Sequence, residues 1–378
     1  MLSSYTLFFF IERTSSQMKI VTIVGARPQF IKAAMVSRAI LEHNKNNSPK
    51  IKELLLHTGQ HYDKNMSDIF FSGMGIPQPT WQLNCGSGTH GKMTGQMVIE
   101  IEQILIDTLP DYVLVYGDTN STLAGALAAS KLNIPIAHIE AGLRSFNKQM
   151  PEEINRILTD HMSSLLFCPT LTAVQNLHNE GIEEDVYHVG DVMYDAALSF
   201  GSIAESKSTI LSDLNIESEE FILCTVHRAE NTDNVERIKQ IIIALDAIGV
   251  ESRPIVLPLH PRTRKSLEKL NLFQVLETHP GIIITEPLSF LDMVMLEKHA
   301  LTILTDSGGV QKEAYFHKTP CVTLRDETEW VETVKAGWNQ IAGYKAASII
   351  YCLNNAPKQK KIDEYGTGRA ANTIVRLL

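Results

Sequence analysis

The chain has 378 residues, 44% of them hydrophobic and 20% charged, and a net charge of −9. This length exceeds one ordinary core and favours two domains, while the composition is typical of a globular protein and excludes a disordered or fibrous one. The acidic balance argues against a nucleic-acid-binding surface. It permits nucleotide binding, which needs only a few local cations and a helix N-terminus.

The apolar run at residues 7–11 falls far short of the roughly 20 residues of a membrane span, so we expect no membrane association. No basic residue precedes this run, and we therefore expect no signal peptide. We interpret residues 1–17 as an appendage, with Met18 as a hypothetical native start. The cysteines form no Cys-x-x-Cys pair and predict buried, reduced thiols in a cytoplasmic protein. They are Cys85, Cys168, Cys224, Cys321 and Cys352.

Short apolar runs alternate with helical stretches along the first half of the chain. Helices are predicted over residues 29–41 and 121–131. Continuous apolar strands separated by helices are typical of parallel βα units with helices on both faces of the sheet. The predicted strands are residues 19–24, 52–57, 112–116, 134–139, 165–168 and 187–189.

The same alternation restarts after a polar, Ser/Glu-rich stretch at 200–219, which predicts a linker or a surface segment. A helix is predicted over 310–316. The sequence thus predicts an α/β fold with two Rossmann-like, doubly wound domains facing a cleft, where ligands bind at the carboxyl ends of the strands. The strands of this half are predicted at 221–226, 253–258, 282–285, 301–305 and 320–324.

Two strand-to-helix turns carry residues suited to a nucleotide. Arg27 and Lys32 place two cations beside a helix N-terminus, which suits a diphosphate, although no GxGxxG fingerprint supports a dinucleotide. The small residues of Ser307-Gly308-Gly309 allow a ligand close to the backbone, and Glu313 could accept the hydroxyls of a ribose. Taken singly, these residues also suit a helix cap or an exposed charge.

Several acids follow two neighbouring predicted strands. Asp118 and Glu140 each follow the end of a strand, and Glu152 begins the next helix. Arg144, which we predict to bind the substrate, and Arg156 lie nearby in the sequence. One such acid alone is often a helix cap. Three acids at one sheet edge predict acid/base chemistry, because like charges in a partly closed cleft raise one another's pKa.

The first strand of the second half ends at His227-Arg228, and the next ends at His260 and Arg262. At such a position His227 and Arg228 could hold a leaving diphosphate, although a lone histidine is more often structural. No HExxH motif or spaced His/Cys set occurs, so no metal site is expected.

At these residues the chain resembles the non-hydrolysing UDP-N-acetylglucosamine 2-epimerases, from about Met18 to the end. The resemblance implies a glycosyltransferase-B type fold, a homodimer, and domains at 18–189 and 190–360 followed by a C-terminal helix, 361–378, that packs back on the first domain. The matching strings are GARPQFIKAA (25–34), TGQH (58–61), GDTNSTLAGALAA (117–129), HIEAGLRS (138–145), PEEINR (151–156), HR-x-EN (227–231), DSGGVQKEA (306–314) and LRDETEW (324–330).

Carried over residue by residue, the resemblance places the family's functional groups on the motifs described above. Its catalytic residues fall on Asp118, Glu140, Glu152 and His227. Its UDP contacts fall on Arg27, Lys32, Ser307, Gly308, Gly309 and Glu313.

Two departures limit the resemblance. Ala229 stands where many bacterial members have a second basic residue, and Gln60-His61-Tyr62-Asp63 stands where they have QHRxM. The resemblance therefore does not carry over the activating second UDP-sugar site of those members. The strings GARPQF, HTGQHYDKNMS and RSFN-x-x-MPEE resemble the branch that epimerises UDP-2,3-diacetamido-glucuronic acid, so two substrates stay open.

The implied reaction explains why several acids are needed. Loss of UDP by anti elimination gives a 2-acetamidoglycal, and reprotonation on the opposite face with re-addition of UDP inverts carbon 2 without a redox cofactor. Either Asp118 or Glu152 would move the C2 proton, Glu140 would position or share protons, and His227, Arg27 and Lys32 would stabilise the diphosphate. A glycosyltransferase, a hydrolysing epimerase or a nucleotide-sensing module are the alternatives.

Overall fold

The computed structural model describes residues 17–60, 77–85, 88–250 and 253–378, except for the side chain of Arg27. Within this part of the chain, thirteen strands form two sheets. The strands of the first sheet are β1 (Gln17–Val24), β2 (Lys50–His57), β3 (Trp81–Gln82), β4 (Tyr112–Tyr116), β5 (Ile136–Ile139), β6 (Leu165–Cys168) and β7 (Val186–His188). Those of the second are β8 (Ile222–Thr225), β9 (Ile255–Pro258), β10 (Ile282–Thr285), β11 (Thr302–Thr305), β12 (Cys321–Thr323) and β13 (Asn339–Ile341).

The helices alternate with these strands. Sixteen are described in the same part of the chain. They are α1 (Arg27–Asn46), α2 (His90–Thr108), α3 (Asn120–Lys131), α4 (Pro151–Met162), α5 (Leu171–Asn179), α6 (Val192–Lys207), α7 (Ile210–Asp213), α8 (Ala229–Thr232), α9 (Val235–Ile248), α10 (Pro261–Lys269), α11 (Phe273–Glu277), α12 (Phe290–His299), α13 (Gly308–His317), α14 (Val331–Lys335), α15 (Ala346–Asn354) and α16 (Ala370–Leu377).

Both sheets have the same topology. The strand order is β3-β2-β1-β4-β5-β6-β7 in the first sheet and β10-β9-β8-β11-β12-β13 in the second. β1 runs parallel to both β2 and β4, and β8 runs parallel to both β9 and β11. The strand order therefore reverses beside β1 in one sheet and beside β8 in the other, and such switch points are where α/β sheets bind ligands.

The apolar runs explain why these segments form central strands. Residues 113–116 of β4 and 222–224 of β8 are completely buried, as parallel strands covered by helices on both faces must be. α3 lies close to its sheet because Gly125 has no side chain: a Cβ there would stand 2.7 Å from the Ile23 side chain. The two parallel sheets with covering helices confirm the predicted α/β class.

The structure corrects one prediction and extends others. Residues 200–207 are not a linker but the second half of α6, where Phe200 and Ala204 are buried. Apolar residues interspersed among the polar ones supply the buried face of that helix. α1 extends to both sides of its predicted range, and the edge strands β3 and β13 were not predicted because they have only two and three residues.

The chain divides into two compact units whose limits differ from the predicted domains. The first contains the described residues up to 139 together with 155–166 and 374–378, and the second contains 140–154 and 167–373. Residues 140–154 group with the second unit through contacts such as Glu140 with Lys312. The predicted limits follow the two sheets instead and stay a prediction.

All five cysteines are free, as predicted, and four of them are buried. Burial raises the pKa of the Cys85 thiol to about 11, with the charge of Glu100 adding to the effect, and it raises the pKa of Cys352 too. In the described ranges no helix is both long and apolar enough to cross a membrane.

Candidate active site

The turns at the carboxyl edge of the first sheet are joined by one buried side chain, Gln29. Its oxygen accepts hydrogen bonds from the backbone N–H groups of Gly25, at 2.8 Å, and Ala26, at 3.0 Å. Its amide nitrogen donates to the Tyr116 carbonyl at 2.8 Å and to Thr119 Oγ1 at 2.9 Å. Gln29 thus fixes the turn after β1 against the turn after β4, where Asp118 lies.

Close packing at Gly25 joins a third turn to these two. A Cβ on Gly25 would stand 2.1 Å from Ser121 Oγ and 2.2 Å from Thr58 Oγ1, so only glycine fits there. The two hydroxyls hydrogen-bond each other at 2.7 Å, and Ser121 also donates to Gln60. Residues 61–63, which belong to the predicted departure from the family pattern, lie outside the described residues.

Asp118 is held at the start of α3 by two residues of α4. Arg156 Nη2 donates to its carboxylate at 2.6 Å, and Asn155 donates to its backbone carbonyl at 2.8 Å. The Asp118 side chain keeps 31% of its surface exposed, whereas Arg156 is buried. Glu152 lies one helical turn before Arg156 in α4 and is half-buried. Asp118 is thus an oriented carboxylate that is still open to solvent.

A buried histidine supports the same turn. His138 Nδ1 lies 2.7 Å from Asp160 Oδ1, and its Nε2 lies 2.8 Å from the carbonyl oxygen of Gly117. The imidazole thus bridges the Asp160 carboxylate and the Gly117 carbonyl, and it fixes the peptide that leads into Asp118.

Glu140 has a different setting, within the second unit. Its backbone adopts a φ of 71°, which is unusual for a residue with a side chain. Lys312 Nζ donates to its carboxylate at 2.9 Å and lies 2.6 Å from Asp191 Oδ2. Burial by itself lowers the pKa of Lys312, but the charges of Asp191 and Glu140 outweigh it and raise that pKa well above its usual value. Lys312 is therefore a permanent ammonium partner of Glu140, and sequence reasoning did not single it out.

Arg144 and Glu153, which follow Glu140 in the chain, have structural partners. Arg144 makes a two-pronged ion pair with Glu180, at 2.7 and 2.8 Å, and donates to the Leu143 carbonyl. The buried Glu153 accepts from the backbone N–H groups of Ser145 and Phe146. Glu153 thus shapes the loop before α4, and Arg144 as a substrate ligand stays a prediction.

The switch point of the second sheet is organised by one buried carboxylate, Asp306. It accepts from the backbone N–H groups of His227 and Arg228 and from the Asn231 amide, at 3.0 to 3.1 Å. Burial tends to raise the pKa of Asp306, but the hydrogen bond and charge of His227, with the Asn231 and Arg228 donors, lower it overall. His227 Nδ1 lies 3.3 Å from this carboxylate, while 37% of its side chain is exposed.

The second predicted histidine stands beside the first. The rings of His227 and His260 are 5.5 Å apart. Burial lowers the pKa of His260, and the charges of His227 and Arg262 lower it further. His260 thus favours its neutral form, and its Nδ1 accepts from the Arg262 backbone. The Arg262 side chain itself pairs with Asp233.

The turn before α13 has the features of an anion site. Ser307 caps this helix, and a side chain added at Gly309 would meet only Ser307 Oγ, at 3.8 Å, so the turn is open. A Cβ at Gly308 would lie 3.1 Å from Glu329 Oε1, a carboxylate that pairs with Arg325, and 3.7 Å from Trp330 Nε1. Trp330 Nε1 is a buried donor without a hydrogen-bond partner among the described residues. An open helix N-terminus beside an unused donor suits a phosphate group.

The remaining predicted ligands lie on the same two helices. Glu313 is half-buried in α13, Lys32 is buried in α1, and Arg27 is the first residue of α1. In the described ranges, no group of three or more His, Cys, Asp or Glu side chains is placed to hold a metal ion.

Comparison with known proteins agrees with these features. The family model for UDP-N-acetylglucosamine 2-epimerase matches residues 43–378. A UDP-N-acetylglucosamine 2-epimerase homologue of Methanococcus maripaludis is 53% identical over 364 residues, which are 96% of this chain and 99% of the relative. The UDP-2,3-diacetamido-2,3-dideoxy-D-glucuronate 2-epimerase of Pseudomonas aeruginosa is 52% identical over 367 residues, again 96% and 99% of the two chains.

A solved structure extends this similarity to the fold. The UDP-GlcNAc 2-epimerase of Methanocaldococcus jannaschii, in complex with UDP-GlcNAc and UDP, superimposes with a TM-score of 0.85. It is 45% identical, and the match covers 96% of this chain and 99% of that one.

Proposed function

Because this chain belongs to the UDP-N-acetylglucosamine 2-epimerase family, we propose that it interconverts UDP-GlcNAc and UDP-ManNAc without net hydrolysis. Family membership confirms the resemblance drawn from the motifs, and with it the assignment of the chain as an epimerase. The similarity to a solved epimerase likewise confirms the α/β fold with two Rossmann-like halves. The substrate and the residue roles below are proposals.

The proposal rests on the residues that lie on the turns at the two switch points. At the first, the turn after β4 presents Asp118, backed by Arg156, beside the Gln29-fixed turn that begins α1. At the second, the turn after β8 presents His227, and the turn after β11 presents the open N-terminus of α13. Acids on one sheet edge and phosphate-binding turns on the other match what carbon 2 inversion of a UDP-sugar needs.

The reaction proceeds by elimination and re-addition. The C1–O bond breaks, with its electron pair leaving on UDP, and a carboxylate removes the C2 proton, so that a double bond forms between C1 and C2. A proton delivered to the opposite face of C2 and renewed attack of UDP on C1 give the epimer. We assign the C2 proton transfers to Asp118 and Glu152, and charge stabilisation at the sugar to Glu140.

The departing UDP must be held while it is detached. We assign its diphosphate to the first turn of α13, Ser307 to Gly309, with His227 and Arg228 on the neighbouring turn. Glu313 would take the ribose hydroxyls, and Lys32 and Arg27 at the start of α1 would add positive charge. The unused Trp330 Nε1–H beside Gly308 is an additional candidate donor to the phosphates.

The UDP-2,3-diacetamido-glucuronate branch is the second candidate. The observation that favours it is the 52% identity with the Pseudomonas aeruginosa enzyme. This value nearly equals the 53% identity with the Methanococcus maripaludis UDP-N-acetylglucosamine 2-epimerase homologue and exceeds the 46% identity with the UDP-N-acetylglucosamine 2-epimerase of Methanocaldococcus jannaschii. Both substrates undergo the same chemistry at carbon 2, and they differ in the substituents at carbons 3 and 6.

Proton NMR of the purified protein with each sugar nucleotide in heavy water tests the proposal. UDP-ManNAc with deuterium at C2 supports it, whereas preferential turnover of the diacetamido-uronate supports the second candidate. Release of free ManNAc with UDP would indicate a hydrolysing epimerase. Absence of turnover on both sugar nucleotides would refute the proposed activity.

We also propose that the protein is a cytoplasmic homodimer. The exposed side chains of Ile99 and Ile106 on α2, followed by Leu109, form an apolar surface that a second copy would cover. Five free, largely buried cysteines suit a reducing compartment. Light scattering that gives the mass of a monomer would contradict the dimer, and fractionation of the source cells tests the location.

A further inference from the structure

A buried ammonium group connects the predicted catalytic acid Glu140 to the helix proposed to bind UDP. Lys312 Nζ lies 2.9 Å from Glu140 Oε1 and 2.6 Å from Asp191 Oδ2. Solvent reaches only 3% of the Lys312 side chain, 3% of Asp191 and 13% of Glu140. The three groups form one charge cluster inside the second unit, with two carboxylates and one ammonium.

The surroundings leave this ammonium little freedom. Its Nζ lies 4.1 Å from the centre of the Trp330 ring, which is a favourable position for a cation. Asp191 is itself fixed, because it caps α6 by accepting from the Met193 N–H at 2.7 Å. The charge of Lys312 also acts on Glu332, whose carboxylate accepts from the buried Tyr365 hydroxyl at 2.8 Å.

Lys312 lies in α13, and the first turn of that helix is the proposed diphosphate site. The side chain that holds Glu140 therefore belongs to the same rigid helix as Ser307 and Gly308. Trp330 lies beside both the Lys312 ammonium group and the proposed diphosphate site, since its ring faces Lys312 and its Nε1 lies near Gly308. One helix and one ion pair thus link the Glu140 carboxylate to the proposed phosphate-binding turn.

We propose that Lys312 is a positioning residue for the epimerisation: its ammonium group fixes the Glu140 carboxylate at a set distance from the leaving diphosphate. This inference rests on the proposed function. Lys312 is almost completely buried and its ammonium group contacts Glu140 and Asp191, so in this proposal it acts through the Glu140 carboxylate. Its loss affects the chemical step more than nucleotide binding, because the backbone N–H groups that start α13 do not depend on it.

The experiment compares Lys312→Met with the double variant Lys312→Met/Asp191→Asn. The single variant leaves two buried carboxylates without their cation, and we expect it to lose both thermal stability and turnover. The double variant also removes one carboxylate charge and restores most of the stability, but Glu140 still lacks its ammonium partner. In both variants we expect kcat to fall about 100-fold, and the Kd for UDP, from calorimetry, to change less than about 3-fold.

Lys298→Met is the matched control. Lys298 forms an ion pair with Glu205 that is partly exposed and lies outside the proposed site, and the control should keep wild-type kcat. A double variant that regains wild-type kcat together with its melting temperature would show that Lys312 is structural only. A Kd for UDP that weakens as much as kcat falls would make Lys312 a nucleotide ligand, and either result overturns the inference. Wild-type protein inactive on both sugar nucleotides would instead refute the proposed function.

Discussion

Asp118 and Glu140 follow the ends of two neighbouring strands, β4 and β5, but their surroundings differ. Asp118 faces a guanidinium, Arg156 at 2.6 Å, and keeps about a third of its side chain exposed. Glu140 faces an ammonium, Lys312 at 2.9 Å, and is mostly buried, on a backbone with positive φ. The sequence pattern of an acid after a strand is the same in both cases, and the two acids differ in their partners, their exposure and their backbone conformation.

The difference suggests a division of labour. A partly exposed carboxylate exchanges protons with solvent readily, which suits transfer to and from C2. A buried carboxylate paired with an ammonium group suits stabilisation of positive charge developing at C1. We therefore propose proton transfer for Asp118 and electrostatic support for Glu140.

Asp118→Asn tests the first half of this comparison and should have the largest effect. We expect kcat to fall about 1,000-fold, because an amide cannot accept the C2 proton. Deuterium incorporation at C2, followed by NMR, should fall in parallel with turnover. Asp213→Asn, on the exposed helix α7, serves as the control. Full turnover in Asp118→Asn with an intact fold would remove Asp118 from the mechanism.

Glu140→Gln tests the other half and should have a smaller effect. We expect kcat to fall about 100-fold, because the amide keeps the shape but not the charge. Each product molecule should still carry one deuterium at C2, since the proton-transfer group remains. If Glu140→Gln is more damaging than Asp118→Asn and abolishes exchange, the two roles are reversed.

Asp160→Asn should act indirectly and more weakly. Without the carboxylate, His138 loses the partner that orients its ring, and its contact with the Gly117 carbonyl weakens. We expect kcat to fall about 10-fold and the free energy of unfolding to fall by about 3 kcal/mol, since a buried charge pair is broken. Urea unfolding and steady-state rates measure the two effects. Unchanged values for both would exclude a supporting role for the pair.

His317→Phe should have the smallest effect and defines the pH range in which the other variants can be compared. Burial, with the nearby charges of Lys298 and His299, lowers the pKa of His317 from 6.5 to about 4. Between these values the unfolded chain binds a proton that the folded chain does not, so folded stability decreases as pH falls from 6.5 to 4. The variant should lose less melting temperature than wild type between pH 7.5 and 4.5. An identical loss in both proteins would contradict this.

Most of the fold could be predicted from the sequence because the strands are short, apolar and regularly spaced. β4, β6 and β10 have the predicted limits. The error at residues 200–207 arose because the buried face of α6 is made by Phe200 and Ala204 among polar residues, which gives a weak helical pattern.

The candidate site was predictable only in part. Asp118, Glu140 and His227 stand directly after strands, and that position is visible in the sequence. Lys312 could not be found in this way, because its partner Glu140 is 172 positions away and nothing in the spacing shows which side of α13 faces it. Asp160 lies 22 positions from His138. Its helix, α4, carries several charged residues, and the sequence does not show which of them pairs with His138.

The pairing of Lys312 with Asp191 also restricts how this protein can evolve. Loss of either residue alone leaves a buried charge without its partner and destabilises the fold by about 3–5 kcal/mol, which a marginally stable protein rarely tolerates. Lineages should therefore keep both residues or exchange both within a short interval. Among homologues, we expect an aspartate at position 191 to accompany a lysine at position 312 and to disappear with it.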